Sequence, residues 1–428
     1  MRFDLERIDL HSPQRYAEEG FPWAEWDQLR REAPVFRYER DAIEPFWAVT
    51  RYADVMAVSE NAKLFINGGP RLRMALKGEP ELLRGGLDSF GQSRGWDPAE
   101  PPDITFMDDP RHRQTRKLSS WAFTQGCMRS AAAHFDTLAE GFTQEMMETL
   151  ARDGECDFVA ELAAKLPLAA TGEIIGLAPG DWKQMLVWSN AIIGHVEPEH
   201  VLPGETVAQA AERNMSEMRG YLEALIHEHR QPGGGPSAFI NRLVNGTVDG
   251  KPLNDQQLNS YLFLLIGAGN DTTRNATTGG AVALLENPAM RDLLCAKPEL
   301  LESAVDEILR WTSPVISFMR TVTADTVLGG TPLREGDTVC VFYPSANRDD
   351  TVFEDPYRFD IRRNPNPHIT FGFGAHFCLG TNLAKAELRS VMKALLPVLP
   401  KLELTGDHHR IANTHVSGYS KLGVRLAQ

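Results

Sequence analysis

The stretch Phe371-Gly-Phe-Gly-Ala-His-Phe-Cys-Leu-Gly380 places a cysteine among glycines, just before a helical pattern that begins at Thr381. At such a position, backbone N–H groups and the positive end of the helix stabilise a thiolate. Glycines let the backbone pass close to a flat cofactor. Cys378 is therefore a candidate ligand for a soft metal centre, although a lone cysteine is more often a small buried residue.

The composition is that of an ordinary globular protein, since 42% of the 428 residues are hydrophobic and 24% are charged. The five cysteines contain no Cys-x-x-Cys pair, which argues against a disulfide framework and a structural zinc site. The net charge of −14 argues against nucleic-acid binding. The first residues lack the apolar core of a signal peptide and no window resembles a membrane span, so we expect a cytoplasmic protein.

Amphipathic helical patterns dominate from about residue 130 onward, and strand-like runs are few. The predicted helices cover residues 133–151, 181–194, 206–229, 254–286 and 298–312. The predicted strands cover residues 46–50, 338–342, 401–405 and 422–426. Residues 67–107 are rich in glycine, proline and charge, which indicates a functional loop region beside a ligand site. No repeat or linker divides the chain, so we predict one mainly α domain with small β-sheets over residues 1–428.

Around the cysteine, the pattern Phe-x-x-Gly-x-His-x-Cys-x-Gly is formed by Phe371, Gly374, His376, Cys378 and Gly380. It resembles the haem-binding signature of the cytochrome P450 family at every defined position. The resemblance implies the P450 fold, with haem b (iron protoporphyrin IX) between a long distal helix and the proximal cysteine loop. It also implies that Cys378 is the iron ligand and that Phe371 and Gly380 contact the haem.

A second feature, Glu307-Ile-Leu-Arg310, resembles the Glu-x-x-Arg pair of the same family. Alone, an i, i+3 charge pair usually decorates a solvated helix face. In the family the pair joins the equivalents of Asn347-Arg348 and of residues 355–359 to brace the cysteine loop. We therefore assign Glu307 and Arg310 to the fold and not to the chemistry.

The third feature, Gly267-Ala-Gly-Asn-Asp-Thr-Thr273, lies in an otherwise apolar helical pattern and resembles the family's Ala-Gly-x-Asp/Glu-Thr motif. A dinucleotide-binding loop is the alternative, but its third glycine would fall at Thr272 and no strand precedes it. Glycine and buried polar residues are unfavourable inside a helix, which predicts a distorted helix. The resemblance implies that the distortion forms a groove for dioxygen and water. The resemblance implies that Asp271 and Thr272 relay protons and that Ala268 contacts the haem.

Four cationic positions complete the resemblance. His112 and Arg116 are one helical turn apart, and Arg320 and His376 match the remaining positions that bind the haem propionates in the family. Charge-assisted hydrogen bonds to carboxylates suit these side chains. Taken singly, each is more often part of a surface salt bridge.

The resemblance implies a monooxygenase that inserts one atom of dioxygen into a C–H or C=C bond and receives its electrons from a ferredoxin and ferredoxin reductase. A docking patch for the ferredoxin is expected near the cysteine loop, with ordinary solvated helix faces as an equally good interpretation. The proposed patch residues are Arg111, Arg113, Lys117, Lys385 and Arg389.

The substrate pocket is expected to include Leu264, Gly267, Ala268 and Ile316, with contributions from residues 67–107 and 185–207. These side chains are apolar or small, which favours a hydrophobic ligand such as a steroid, a terpenoid or a lipid. Two alternatives remain: a haem-thiolate binding or sensing protein without turnover, and a Cys-His site for another metal. The Asp271-Thr272 pair disfavours the first, and the absence of a neighbouring ligand set in the sequence disfavours the second.

Overall fold

Helices make up most of the protein. The computed structural model describes residues 4–69, 71–74, 76–77, 101, 103–192 and 200–427. Its α-helices are α1 (Pro13–Glu18), α2 (Trp23–Glu32), α3 (Tyr52–Glu60), α4 (Arg111–Ser119), α5 (Gln125–Asp153), α6 (Lys165–Ile175), α7 (Trp182–Ile192), α8 (Val207–His229), α9 (Ala238–Val244), α10 (Asp255–Glu286), α11 (Pro288–Ala296), α12 (Leu301–Thr312), α13 (Tyr343–Ala346) and α14 (Thr381–Leu395).

The strands form four small sheets. They are β1 (Val35–Arg40), β2 (Ile43–Val49), β3 (Phe65–Ile66), β4 (Glu155–Asp157), β5 (Thr247–Val248), β6 (Lys251–Pro252), β7 (Ser317–Val322), β8 (Thr326–Leu328), β9 (Thr331–Leu333), β10 (Thr338–Phe342), β11 (Leu402–Arg410) and β12 (Tyr419–Leu426). The largest sheet has the order β1-β2-β10-β7-β3, and β11-β12-β4 forms a second sheet. In the first sheet β2 and β10 are parallel, whereas β10 and β7 are antiparallel.

Helix α10 is the central element of the helical body. It begins with a capping box in which Asn254 and Gln257 satisfy each other's backbone N–H groups. Its side chains are buried along most of its length, and it packs against α6, α7, α8, α12 and α14. An apolar helix surrounded on several sides is the expected centre of a large helical core. None of the described helices combines the length and apolarity needed to cross a membrane.

The long predicted helices are confirmed, because the predicted segments at residues 133–151, 206–229 and 254–286 fall on α5, α8 and α10. The predicted strand at residues 338–342 coincides with β10. The prediction did not include α1 to α3, β1 or β7. Residues 193–194, at the end of one predicted helix, lie outside the described residues, as do most of residues 67–107.

Candidate active site

The segment that carries Cys378 is a tight loop closed by the backbone. The Cys378 N–H donates to the Phe371 carbonyl at 2.9 Å, and α14 begins three residues after the cysteine. Gly374 has a φ of +73°, and a Cβ at this position would lie 2.2 Å from the Ser59 carbonyl oxygen. A glycine is therefore required here by both the left-handed backbone and the contact with the end of α3.

The Cys378 thiol borders a cavity, and the residue is exposed there. Burial raises the pKa of the thiol. The Gly380 N–H, the Thr381 hydroxyl and the Arg116 guanidinium oppose this shift. Two hydrogen-bond donors at the start of α14 and one cation on α4 thus act on the sulfur, which is the environment that favours a thiolate.

A buried ion-pair network supports the loop from behind. The Arg310 guanidinium donates to both Glu307 carboxylate oxygens at 2.8 Å and to the Asn347 carbonyl at 2.9 Å. Glu307 also accepts from the Asp360 N–H at 2.9 Å and from Asn366 at 3.1 Å. Glu307 and Arg310 have no exposed side-chain surface. The expected bracing pair therefore joins α12 to the segment that precedes the cysteine loop.

The four cationic candidates lie together on the wall of the same cavity. The rings of His112 and His376 are 4.0 Å apart between centroids, and Arg116 and Arg320 line the cavity beside them. Burial lowers the pKa of His112 to about 4, with Arg116 adding to the shift. Burial also lowers the pKa of His376 and of Arg320. Within the described part of the chain, neither Arg116 nor Arg320 has a carboxylate partner.

On the opposite side, α10 contributes a continuous stripe to the cavity. The helix is uninterrupted, so the expected distortion is not seen in its secondary structure. Gly269 instead allows close packing against α6, since a Cβ there would lie 2.8 Å from Thr171 Oγ1. The Thr272 hydroxyl lines the cavity and donates to the Ala268 carbonyl at 2.8 Å. Its lone pairs are therefore left to accept a hydrogen bond from the cavity.

The Asp271 side chain points away from the cavity that Thr272 lines. Its carboxylate pairs with Arg274 at 3.1 Å and accepts from the Ser189 hydroxyl at 3.3 Å, which connects it to α7. It is buried and is not among the residues that line the cavity. The alcohol therefore faces the cavity, whereas the acid faces α7.

Comparisons with known proteins agree with this geometry. A family model described as "Cytochrome P450" matches residues 294–399. The chain is 33% identical to linalool 8-monooxygenase from Pseudomonas putida, with 99% of each chain covered. The chain belongs to the cytochrome P450 family. It is also 34% identical to a steroid C26-monooxygenase from Mycolicibacterium smegmatis, with 94% of this chain and 90% of the relative covered.

A solved structure extends the comparison to the fold. A Mycobacterium marinum cytochrome P450 in complex with pseudoionone matches with a TM-score of 0.85 and 32% identity, covering 100% of this chain and 99% of that one. The fold predicted from the sequence is therefore confirmed, and the chain is a cytochrome P450 monooxygenase.

The described residues of this P450 fit the haem that the family implies. The guanidinium groups of Arg320, which is buried, and of Arg116, which is half-buried, have no carboxylate partner among the described residues and suit the two carboxylates of a haem, because an unpaired charge away from water is costly. The cavity wall between them and Cys378 is largely apolar, which suits a flat macrocycle. Phe371, Gly380, Ala268 and Leu264 all line this cavity, as the resemblance implied. Among the described residues, no group of three His, Cys, Asp or Glu side chains is arranged to hold a metal ion.

Two expected pocket residues of this P450 are not on the cavity. Gly267 is buried on another face of α10, since the lining stripe follows Leu264, Ala268 and Thr272 at helical spacing. Ile316 is fully buried in a core cluster with residues of α2 and β2, and its neighbour Val315 lines the cavity instead. In an extended chain, a shift of one residue changes the face to which a side chain points.

Several lining residues of the P450 were missed from the sequence. They include Thr171 and Ile174 on α6, Phe318 on β7, and Thr273 and Glu387. Of the loop segment 67–107, the described residues Asn67, Ile104 and Thr105 reach the cavity, as expected. Helical spacing could have placed Glu387 on one face with Leu383, but a glutamate in an amphipathic helix is usually solvated.

Proposed function

We propose that this cytochrome P450 is a haem-thiolate monooxygenase that inserts one oxygen atom from dioxygen into a C–H bond of a small hydrophobic molecule. Residues 1–428 act as one P450 domain. The observation that carries the proposal is the cavity that joins the Cys378 thiol, two guanidinium groups with no carboxylate partner among the described residues, and an apolar stripe of α10. Haem b is the cofactor, and when bound it supplies the redox chemistry that cleaves dioxygen.

Each part of the cavity has a role in binding this cofactor. Cys378 is the thiolate ligand, with Phe371 and Gly380 beside it. His112, Arg116, Arg320 and His376 hold the carboxylates through their side-chain N–H groups. Ala268 contacts the opposite face. The Glu307–Arg310 network keeps the cysteine loop in place and takes no part in the chemistry.

Thr272 and Asp271 carry the protons. The Thr272 hydroxyl is the cavity-facing group, and we propose that it holds a water or an oxygen species by its free lone pairs. Asp271 connects Thr272 to solvent when its carboxylate exchanges Arg274 for a water. Because the Asp271–Arg274 pair is buried, we propose that protons reach the cavity through Asp271 and not through an open water channel.

The substrate class follows from the cavity wall and from the relatives. Leu264, Leu265, Ile174, Val315 and Phe318 present apolar surface to the cavity. Hydrophobic pockets of this kind bind through buried apolar area with a few polar contacts. Relatives named as acting on linalool and on steroids fit the same chemistry. We therefore infer a terpenoid, steroid or other lipid-like substrate.

Electrons reach the site from a separate protein. We propose a ferredoxin with its reductase, acting in the cytoplasm. Arg113 and Lys117 are exposed on α4, and Arg113 lies 3.9 Å from the Asp109 carboxylate. Lys385 forms an ion pair with Asp306 at 2.6 Å, and Arg389 donates to Glu302 at 2.7 Å. The positive charge on the α14 side of the expected patch is therefore partly neutralised. The charge reversal Lys117→Glu should therefore weaken reduction more than Arg389→Glu does.

The decisive experiment is the carbon monoxide difference spectrum of the reduced protein, compared with that of Cys378→Ala. A strongly red-shifted Soret band that the variant lacks supports thiolate ligation by Cys378. No haem signal in the wild-type protein would refute the proposal. A red-shifted band without product from any terpenoid, steroid or fatty acid under reducing conditions would favour the non-catalytic haem-binding alternative.

A further inference from the structure

Asn67 is a buried amide on the wall of the cavity. It is 4% exposed and follows β3 directly. Its backbone N–H donates to the Asp108 carboxylate at 2.9 Å, and its side-chain N–H₂ group donates to the Thr105 carbonyl at 2.9 Å. The side-chain oxygen, Oδ1, has no hydrogen-bond partner among the described residues. A buried carbonyl oxygen without a donor is costly, so Oδ1 is a candidate contact for a bound molecule.

The orientation of the Asn67 amide is set by its contact with Thr105. A backbone carbonyl only accepts hydrogen bonds, so the amide nitrogen, and not the oxygen, must face it. Turning the amide over would place two acceptors against each other. The Asp108 carboxylate also accepts from the Gly68 N–H at 2.7 Å, which holds the backbone next to Asn67 in place. The free lone pairs of Oδ1 therefore belong to a fixed acceptor.

Thr105 adds a second acceptor beside Asn67. It also lines the cavity, and its backbone N–H donates to the buried Asp103 carboxylate at 2.7 Å. The Thr105 hydroxyl donates to the same carboxylate, so it has lone pairs left but no proton to give. We call Asn67 Oδ1 and Thr105 Oγ1 the acceptor pair. Both side chains have used their own donors on neighbouring residues.

The haem carboxylates do not suit the acceptor pair, because a carboxylate also presents only lone pairs. The four cationic side chains described above supply donors for those carboxylates. The acceptor pair is thus left for the substrate. Ile104, Val315 and Phe318 give the same cavity apolar surface, and in such a pocket a few placed polar groups fix the orientation of a ligand.

We propose that the substrate of this P450 is a hydrophobic alcohol whose hydroxyl group donates a hydrogen bond to Asn67 Oδ1, with Thr105 Oγ1 as a second acceptor. The inference rests on the monooxygenase function proposed above, and it narrows the substrate to terpenoid alcohols, hydroxysteroids and related lipids with a free hydroxyl group. A ketone or an ether in the same place brings another acceptor and leaves the pair unsatisfied. Oδ1 itself is buried, and side-chain rotations at a binding surface are common when a ligand enters.

Binding to the ferric, haem-loaded protein tests this without electrons or turnover. The probes are three matched pairs: geraniol and its methyl ether, testosterone and its 17-ketone, and dodecanol and its methyl ether. Dissociation constants are measured by isothermal titration calorimetry and by the shift of the Soret band. The preference ratio is the dissociation constant of the ether or ketone divided by that of the alcohol. It should be about 3–10 in wild type for at least one pair, since this is the net value of a hydrogen bond.

Three variants locate the preference. Asn67→Leu removes the acceptor at similar volume and should bring the preference ratio below about 2, because the ratio cancels effects common to both probes. Thr105→Val keeps the side-chain shape, should lower the ratio in part, and covers the case in which Asn67→Leu fails to fold. Thr171→Val is the matched control. The Thr171 hydroxyl on α6 also lines the cavity without a partner among the described residues, and its loss should leave the ratio as in wild type.

The inference and the proposed function fail in different ways. Equal binding of the two members of every pair by wild type overturns the inference, as does binding of none of the three alcohols. A ratio that persists in both Asn67→Leu and Thr105→Val, or that falls as far in Thr171→Val, also overturns it. The proposed function is judged separately, by the carbon monoxide spectrum and by product. A preference for the alcohol that depends on Asn67, with no product under reducing conditions, would refute the proposed function and leave the acceptor pair as a binding site for alcohols.

Discussion

Replacing Glu307 by glutamine should destabilise the protein strongly although the side-chain shape is kept. Glu307 accepts from two Arg310 nitrogens at 2.8 Å, from the Asp360 N–H at 2.9 Å, from Asn366 at 3.1 Å and from Arg363 at 3.2 Å. A glutamine keeps one acceptor oxygen and turns an N–H₂ group toward these donors. The Arg310 guanidinium then stays fully buried without a counter-charge.

Breaking a buried ion pair in this way costs about 3–5 kcal/mol. Unfolding of a chain of this length has an entropy of roughly 0.9 kcal/mol per degree, so the thermal midpoint should fall by roughly 4 °C. The cysteine loop should also be less firmly held, so haem should dissociate faster. Thermal unfolding followed by circular dichroism and by the Soret band measures both effects.

Glu302→Gln is the matched control, because Glu302 lies on the same helix and pairs with Arg389, but its side chain is 68% exposed. Exposed ion pairs contribute about 0–1 kcal/mol, so this variant should unfold within about 1 °C of wild type. Equal midpoints for Glu307→Gln and Glu302→Gln would refute the bracing role assigned to the buried network.

Three further outcomes follow from the site. Arg320→Leu should bind haem about 10–100-fold more weakly, since a hydrogen bond to a charged group is worth about 1.5–3 kcal/mol; haem transfer to apomyoglobin measures this, with the exposed Arg113→Leu as an unaffected control. Thr272→Ala should keep the carbon monoxide spectrum but release more hydrogen peroxide per product, and Thr272→Ser should restore coupling; equal coupling in all three proteins contradicts the role of the hydroxyl. Because the pKa of Glu387 is raised from 4.5 to about 8, its contribution to stability is complete below about pH 4.5 and falls by up to about 5 kcal/mol as the pH rises through 8. Glu387→Gln should lose less stability than wild type between pH 6 and pH 9 in denaturant titrations, and parallel losses would show that Glu387 is not buried as a neutral acid.

The periodicity of apolar residues was sufficient to predict the long helices but not the short helices and strands. Helices such as α5, α8 and α10 repeat their apolar pattern over many turns. The helices α1, α2 and α3 have only six to ten residues, too few for a reliable period. Strand β7 was missed because Arg320, in its middle, is buried against the cavity, and a buried charge breaks the expected alternation.

Site residues that belong to a motif could be predicted from the sequence. Residues that reach the cavity only because of tertiary packing were harder to predict. The residues around Cys378 and the cationic positions converge on one cavity, as the resemblance implied. The choice between Val315 and Ile316 depends on a one-residue register that tertiary contacts set. Glu387 lies in a helix whose pattern suggests that a glutamate is solvated. Sequence alone does not say which face of that helix meets a cavity.

The position of β2 between β1 and β10 affects how the chain folds during translation. The Trp47 ring N–H donates to Asp337, 290 residues later, and the Tyr52 hydroxyl donates to the Pro367 carbonyl, 315 residues later. At 5–20 residues per second, a ribosome needs roughly 15–60 s to supply these partners. During that time one edge of β2 is unpaired and open to pairing with other chains. Yield in a cell should therefore depend on chaperone supply and on translation speed as well as on haem.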